Sequence, residues 1–292
     1  MTLTDNRAEK VVWFITGASK GFGHALAEAV LAHGQRVVVT SRRVKDVQLL
    51  ANQWPDRVLA AELDVTNADA ARAVVRQAIE RFGRIDVVVN NAGFGHVGAI
   101  EELSDEELRQ QLDVDLFGVI NVTRAALPQL RKQRAGHFVQ MSSLNGVEVL
   151  PGAASYVASK FAIEGFSETL AAEVAPLGIK VTIVQPAPFR TNFLSDESAK
   201  WSRPITDYAE TVGKARETLR SMNGKQPGDP KRAALAIIRA VEADTPPLRL
   251  PLGKMATEHI RATLGSRLEE LDAWAKVSAA ADFPAGEAQG SR

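Results

Sequence analysis

The chain of 292 residues contains no cysteine. That excludes a disulfide framework, thiolate metal ligation and a cysteine nucleophile, and it fits a reducing compartment. Excess charge is also missing, because 35 Lys and Arg balance 35 Asp and Glu. Nucleic-acid binders present a basic face and polybasic membrane anchors a cationic run, so neither partner is expected. No apolar run approaches the roughly 20 residues of a membrane-crossing helix. The opening MTLTDNRAEK has no apolar core of a signal peptide. A soluble cytoplasmic protein is expected. No His, Asp or Glu cluster has metal-ligand spacing, so no metal is expected. Tyrosine is scarce: Tyr156 and Tyr208 are the two in the chain. Tyr156 lies in SYVASK, four places before Lys160, and such a pair shares a face on any helix. Spacing alone does not separate a helix surface from a proton donor with its tuning cation.

What is present is ample apolar material, 45% of residues, arranged in alternation. Continuous apolar runs at 11–16, 37–40, 57–65, 85–90, 137–143 and 180–186 read as strands, with 248–253 a last strand weakened by Pro251. Helical stretches separate them, with Gly34 and Gly83 as C-terminal stops. Strands apolar on both faces and alternating with helices predict a Rossmann-type, doubly wound parallel sheet in a three-layer α/β/α single domain. Segment 190–228 is polar, carries scattered aromatics and ends in NGKQPGDP, which reads as a substrate lid. Residues 256–292 read as a helical extension followed by a small, polar tail, ADFPAGEAQGSR, expected to be disordered.

The first strand runs into TGASKGFG, and a helix follows at once. Gly17, Gly21 and Gly23 permit a tight turn and a close backbone approach to a pyrophosphate at the helix N-terminus. The second strand ends at Ser41, Arg42 and Arg43. An acidic residue there would hold a ribose 2′-hydroxyl. Arginines, with Lys20 nearby, suit a 2′-phosphate instead, so the expected cofactor is NADP(H).

With these motifs the chain resembles the short-chain dehydrogenase/reductase family of the ordinary, non-extended type, over about residues 10–255. The resemblance rests on a series in order: TGASKGFG, Asp64-Val65, NNAG at 90–93, SSLNG at 142–146, Tyr156-x3-Lys160 and PAPFRT at 186–191. Ser143 precedes Tyr156 by the family's usual 13 residues. The resemblance implies that Tyr156 exchanges a proton with a substrate carbonyl or alcohol. Lys160 would lower the tyrosine pKa and hold the nicotinamide ribose, and Ser143 would orient the substrate, with Ser142 the near alternative. It also implies cofactor contacts from Gly17, Ser19, Lys20, Gly21, Phe22 and Gly23. Further contacts would come from Asp64, Val65, Asn91, Ala92 and Gly93, and from Pro186, Phe189 and Thr191; Asn90 would brace the sheet. Phe94, His96, Val147, Leu150 and Phe193 would line an apolar substrate pocket, with His96 on its rim. The late part of the chain is similar to the 17β-hydroxysteroid and retinol dehydrogenase branch, without fixing a substrate. A homodimer or homotetramer is the family's usual state.

Two positions depart from that pattern. DVDLFG places Asp115 where the family usually has an asparagine whose backbone holds a relay water. A carboxylate there would stabilise the Lys160 ammonium and weaken its effect on Tyr156. Ala187 stands where a glycine is usual. The expected function is reversible hydride transfer between NADP(H) and an apolar carbonyl or secondary alcohol. Two alternatives remain open: a non-catalytic or weakly active NADP-binding sensor or interaction protein on the same fold, and a reductase of carrier-bound 3-oxoacyl chains docking on the lid's basic residues. No G-x-S-x-G elbow accompanies Ser142 and Ser143, which excludes the α/β-hydrolase arrangement.

Overall fold

The computed structural model describes residues 11–283. The strands β1 (Val12–Ile15), β2 (Arg36–Ser41), β3 (Val58–Glu62), β4 (Val87–Asn90), β6 (Gly136–Met141), β7 (Ile179–Pro186) and β9 (Arg249–Leu252) form one sheet. Their order is β3-β2-β1-β4-β6-β7-β9, and every pairing is parallel. The runs of Val, Ile and Phe follow from that: a strand covered on both faces gains from apolar side chains at every position. Pro251 sits in the edge strand β9, where a missing N–H is tolerated.

Helices α1 (Gly21–Ala32), α2 (Lys45–Gln53) and α8 (Pro230–Val241) cover one face, burying Leu26, Val30, Leu50 and Ile237 against Trp13, Ile15 and Val39. Helices α3 (Ala68–Phe82), α5 (Gly118–Gln133) and α6 (Ala154–Val174) cover the other, around Phe14, Val88 and Phe138. Gly83 ends α3 in the left-handed region, as its place in the sequence predicts, and Gly34 (φ +78°) follows α1. Asn90 is buried and donates to Thr123 and Gln140 side chains, so it braces β4 to α5 and β6.

The connection from β4 to α5 is irregular. A short strand β5 (Gly95–Val97) leads through a 3₁₀ turn to α4 (Asp105–Leu112), which continues into a π-turn over Asp113–Phe117 before α5. The lid segment holds β8 (Ala199–Trp201) and α7 (Lys214–Met222). β8 pairs with β5 in a separate two-stranded parallel sheet. After β9 comes α9 (Lys254–Ala279). Most of the tail predicted to be disordered, 284–292, lies outside the described residues. No described helix is long and apolar enough to cross a membrane.

Candidate active site

The chain leaves β1 toward one edge of the sheet and β4 toward the other. Such a reversal opens a crevice at the carboxyl ends of the strands, and a cavity of about 1040 Å³ lies there. The glycine-rich turn forms one wall. Gly17 and Gly21 have φ of +64° and +62°, a region that side chains disfavour. A Cβ on Gly17 would lie 2.9 Å from Ala92 Cα, and one on Gly23 2.5 Å from the Gly17 carbonyl oxygen. Gly17 therefore lets the turn approach the segment after β4, and Gly23 lets α1 close on the turn. Asn91 Nδ2 donates to the carbonyls of Thr16 and Gly17 at 2.8 and 3.0 Å, which fixes that approach. Helix α1 starts at Gly21 with no side-chain cap, leaving first-turn amides for an anion.

Ser19, Lys20, Phe22, Ser41, Arg42, Asp64, Val65, Asn91, Ala92, Gly93, Pro186, Phe189 and Thr191 line this cavity with Gly17 and Gly21. Two expected cofactor residues do not. Gly23 is used for packing, as above. Arg43 turns away, its Nε 2.9 Å from Asp46 in the first turn of α2. Lys20 Nζ lies 3.5 Å from Glu197 of the lid.

Helix α6 presents Tyr156 and Lys160 one turn apart at the cavity floor. Lys160 is buried; its Nζ donates to the Met141 carbonyl at 3.1 Å and lies 3.4 Å from Asp115 Oδ2. The π-turn brings Asp115 there, fully buried behind the cavity wall, and its Oδ1 accepts the Phe94 N–H at 3.1 Å. An extra residue in a helical turn rotates the side chains beyond it, a device often found at functional sites. Burial raises the Asp115 carboxyl, against the opposing pull of Lys160 and the Phe94 amide. Burial alone would lower Lys160, but Asp115 and Tyr156 outweigh it and hold the ammonium. Burial raises the Tyr156 hydroxyl; Lys160 and a hydrogen bond with Ser143 pull it down, and Asp115 pushes it up again.

Ser143 and Ser142 both border the cavity. Ser142 Oγ points toward Gly146 and Glu164, whereas the Ser143 side chain is the one within hydrogen-bonding reach of Tyr156. The alternation of a strand end separates the two.

Phe94, Leu150 and Phe193 line the cavity as expected, and Phe193 packs on Tyr156 with ring centroids 5.6 Å apart. His96 and Val147 do not. His96 is 3% exposed in β5, turned inward by the pairing with β8; its Nε2 lies 3.1 Å from Ser202 Oγ and 3.3 Å from Glu107. It belongs to the anchor of the lid, not to a pocket rim. Val147 packs in a small core with Leu144, Ala187, Ala256 and Ile260.

Sequence reasoning missed the far wall. Ala215, Leu219 and Met222 of α7 face the cavity, as do Met255 and His259 of α9. The three α7 residues recur at i, i+4 and i+7, the period of an apolar helix face, so a closer reading of the lid could have found them. The lid is held in place by Glu102. Its side chain, 1% exposed, accepts the N–H groups of Ala99 and Ile205, each at 2.7 Å, and pairs with Arg216 of α7 at 2.9 Å. Burial alone would raise the Glu102 pKa, but those two amides and Arg216 outweigh it and hold the carboxyl below its usual range.

Comparison with known proteins agrees with this geometry. Residues 10–201 match the short chain dehydrogenase family. An oxidoreductase of Botryotinia fuckeliana, BOA17, is 39% identical over 249 residues, covering 85% of this chain and 90% of the relative. A 3-ketodihydrosphingosine reductase of Bacteroides thetaiotaomicron is 38% identical over 244 residues, covering 82% and 87%. The crystal structure of a short-chain dehydrogenase from Streptomyces avermitilis superposes with a TM-score of 0.87 at 44% identity, covering 93% of this chain and all of that one. At 26% identity, a Burkholderia cenocepacia short chain dehydrogenase in complex with NADP has a TM-score of 0.71, covering 91% and 97%. A Brucella melitensis 3-ketoacyl-(acyl-carrier-protein) reductase complexed with NADH, also 26% identical, has a TM-score of 0.70, covering 84% and 97%. Glycine turn, buried lysine and sheet reversal all belong to one inherited plan: the chain is a member of the short-chain dehydrogenase family.

Proposed function

We propose that the protein is an NADP(H)-dependent oxidoreductase that interconverts a carbonyl and a secondary alcohol on an apolar small molecule. The observation that carries the reading is the convergence of Tyr156, Lys160 and Ser143 on the floor of the cavity whose other wall is the glycine turn. That wall fits a dinucleotide. A Cβ on Gly21 would meet Thr191 at van der Waals distance, and Gly21 holds φ at +62°, so glycine brings the turn to the lid base as a narrow cradle. Gly17, Ser19, Gly21 and Phe22 would hold the pyrophosphate, Asp64 and Val65 the adenine, and Lys160 the nicotinamide ribose. Arg42 lines the cavity and no carboxylate occupies the end of β2, which supports a 2′-phosphate.

A bound nicotinamide supplies or accepts the hydride. The chain supplies the proton and the position. Ser143 orients the substrate oxygen, and the Tyr156 hydroxyl donates to it in reduction or accepts from it in oxidation. Lys160 lowers the cost of the tyrosinate. Asp115 offsets part of that cation, so Tyr156 stays protonated to higher pH, in the form that reduction requires. A keto reductase among the relatives supports the same direction. The carrier-docking alternative keeps only part of its basic surface, because Arg216 pairs with Glu102, Lys214 with Glu210, and Arg220 lies over the Trp201 ring, which leaves Lys200, Arg203 and Lys225 for a docking face.

The test is NADPH oxidation by purified protein across ketones and aldehydes, beside Kd values for NADPH and NADH. Tyr156→Phe is expected to lower turnover by roughly 10²–10⁴-fold with NADPH affinity unchanged. Undiminished turnover in that variant would remove the acid/base assignment. Tighter binding of NADH than NADPH would remove the assignment of Arg42.

A further inference from the structure

Helix α9 leaves the body of the protein after its first two turns. Ala256 and Ile260 are buried against Leu144, Val147 and Ala187. Arg267 reaches back to donate to the Val147 carbonyl and lies over the Phe161 ring. From Leu264 to Phe283 every described residue is exposed. The face that packs does not end there, however. Ile260 is followed by Leu264, Leu268, Leu271 and Trp274 at helical spacing, and these four are 53–63% exposed. The projecting part, 264–279, spans about 24 Å. A helix of that length gains most of its stability from packing an amphipathic face, and no described residue covers this one.

We propose that a second copy of the chain covers it, with the two α9 helices packed antiparallel about a two-fold axis near Leu268. The sequence of the helix is self-complementary in that arrangement. Leu264 of one copy stands opposite Leu271 of the other, Leu268 opposite Leu268, and Trp274 opposite Ile260 and the adjoining body. Arg261 and Asp272 lie on one flank of the stripe, so each faces the other's counterpart across the axis, twice by symmetry. A parallel pair would put this flank of the two copies on opposite sides of the seam, so that Arg261 and Asp272 could not pair across it. Two other occupants fit less well. A helix lying on a membrane carries cations on its polar face, whereas Glu269, Glu270 and Asp272 share this one with Arg261 and Lys276. Residues 284–292, PAGEAQGSR, hold no large apolar side chain to fill the stripe.

Because the chain has no cysteine, one introduced thiol reports its own neighbourhood. Leu268→Cys in the full chain is expected to form a disulfide-linked dimer under mild oxidation, and Ser266→Cys, on the opposite side of the helix, is not. Sedimentation is expected to show a dimer, or a tetramer built from such dimers, whose α9 contact Leu268→Asp weakens by roughly 100-fold in Kd. Arg261→Asp and Asp272→Arg should each weaken it, and the two together should restore it. A monomer at micromolar concentration would overturn the proposal. So would an assembly untouched by Leu268→Asp in which Leu268→Cys forms no cross-link, or a double charge swap that fails to restore. Monomeric protein that binds phosphatidylserine vesicles and loses that binding in Leu268→Asp would assign the stripe to a membrane instead.

Discussion

Asp115 sets the electrostatic character of the site. One oxygen is held by the Phe94 amide and the other faces Lys160, so the lysine charge is shared between Tyr156 and a carboxylate. On the proposed mechanism Tyr156 would act ionised in alcohol oxidation, and the acidic limb of the rate profile would follow its pKa. Asp115 raises that pKa. Asp115→Asn is therefore expected to move the acidic limb of kcat/KM for oxidation to lower pH; a profile that does not move would show that the pair leaves Tyr156 unaffected. The identity of this residue is plain in DVDLFG, but its contact is not. A π-turn reads in sequence as ordinary helix, and only the extra residue aims the carboxylate at Lys160. His96 shows the opposite failure. A histidine after the glycine of NNAG invites a pocket role, and strand pairing that three residues cannot advertise turns it inward.

At the scale of elements, the central strands were legible because a doubly covered strand must be apolar at each position. β5 and β8 were not, since strands of three residues show no period. Together with Glu102 they make the lid a fixed wall. Glu102→Gln leaves Arg216 buried without its counter-charge and weakens two amide contacts, and it is expected to cost roughly 2–4 kcal/mol. Thermal unfolding would register the loss, and limited proteolysis should show new cleavage within 190–228. An unchanged melting temperature with an intact lid would mean that the β5–β8 pairing suffices. The apolar face of α7 was open to reading from Ala215, Leu219 and Met222, and the surrounding polar residues hid it.

For the whole molecule, alternation of strands and helices made the doubly wound architecture readable, while the order of strands and the placing of the cavity between β1 and β4 rest on tertiary geometry. One buried group couples the sheet to pH. His137 in β6 donates from Nε2 to Thr182 Oγ1, which itself donates to the Pro247 carbonyl. Burial, with Lys180 nearby, lowers its pKa from 6.5 to about 4. The unfolded chain binds this proton first, so the stability that the neutral ring contributes is present above pH 6.5 and is lost as pH falls toward 4. The loss is on the order of 3 kcal/mol. His137→Gln is expected to flatten the fall in melting temperature over that window, and a fall of equal steepness would assign acid sensitivity elsewhere.

The bolting of the lid also bears on how such proteins diversify. The far wall of the cavity comes in part from 190–228, but its anchors, His96, Glu102 and Glu107, come from a segment a hundred residues earlier. The two stretches are one structural unit split in the chain. Replacing 190–228 with a donor segment that lacks the Arg216 guanidinium would strand the buried acid of Glu102, whereas moving the donor's counterpart of 95–107 with it would carry the matching half. The paired graft is expected to fold and to bring the donor's substrate range with it, and the single graft to be recovered as insoluble or protease-sensitive protein.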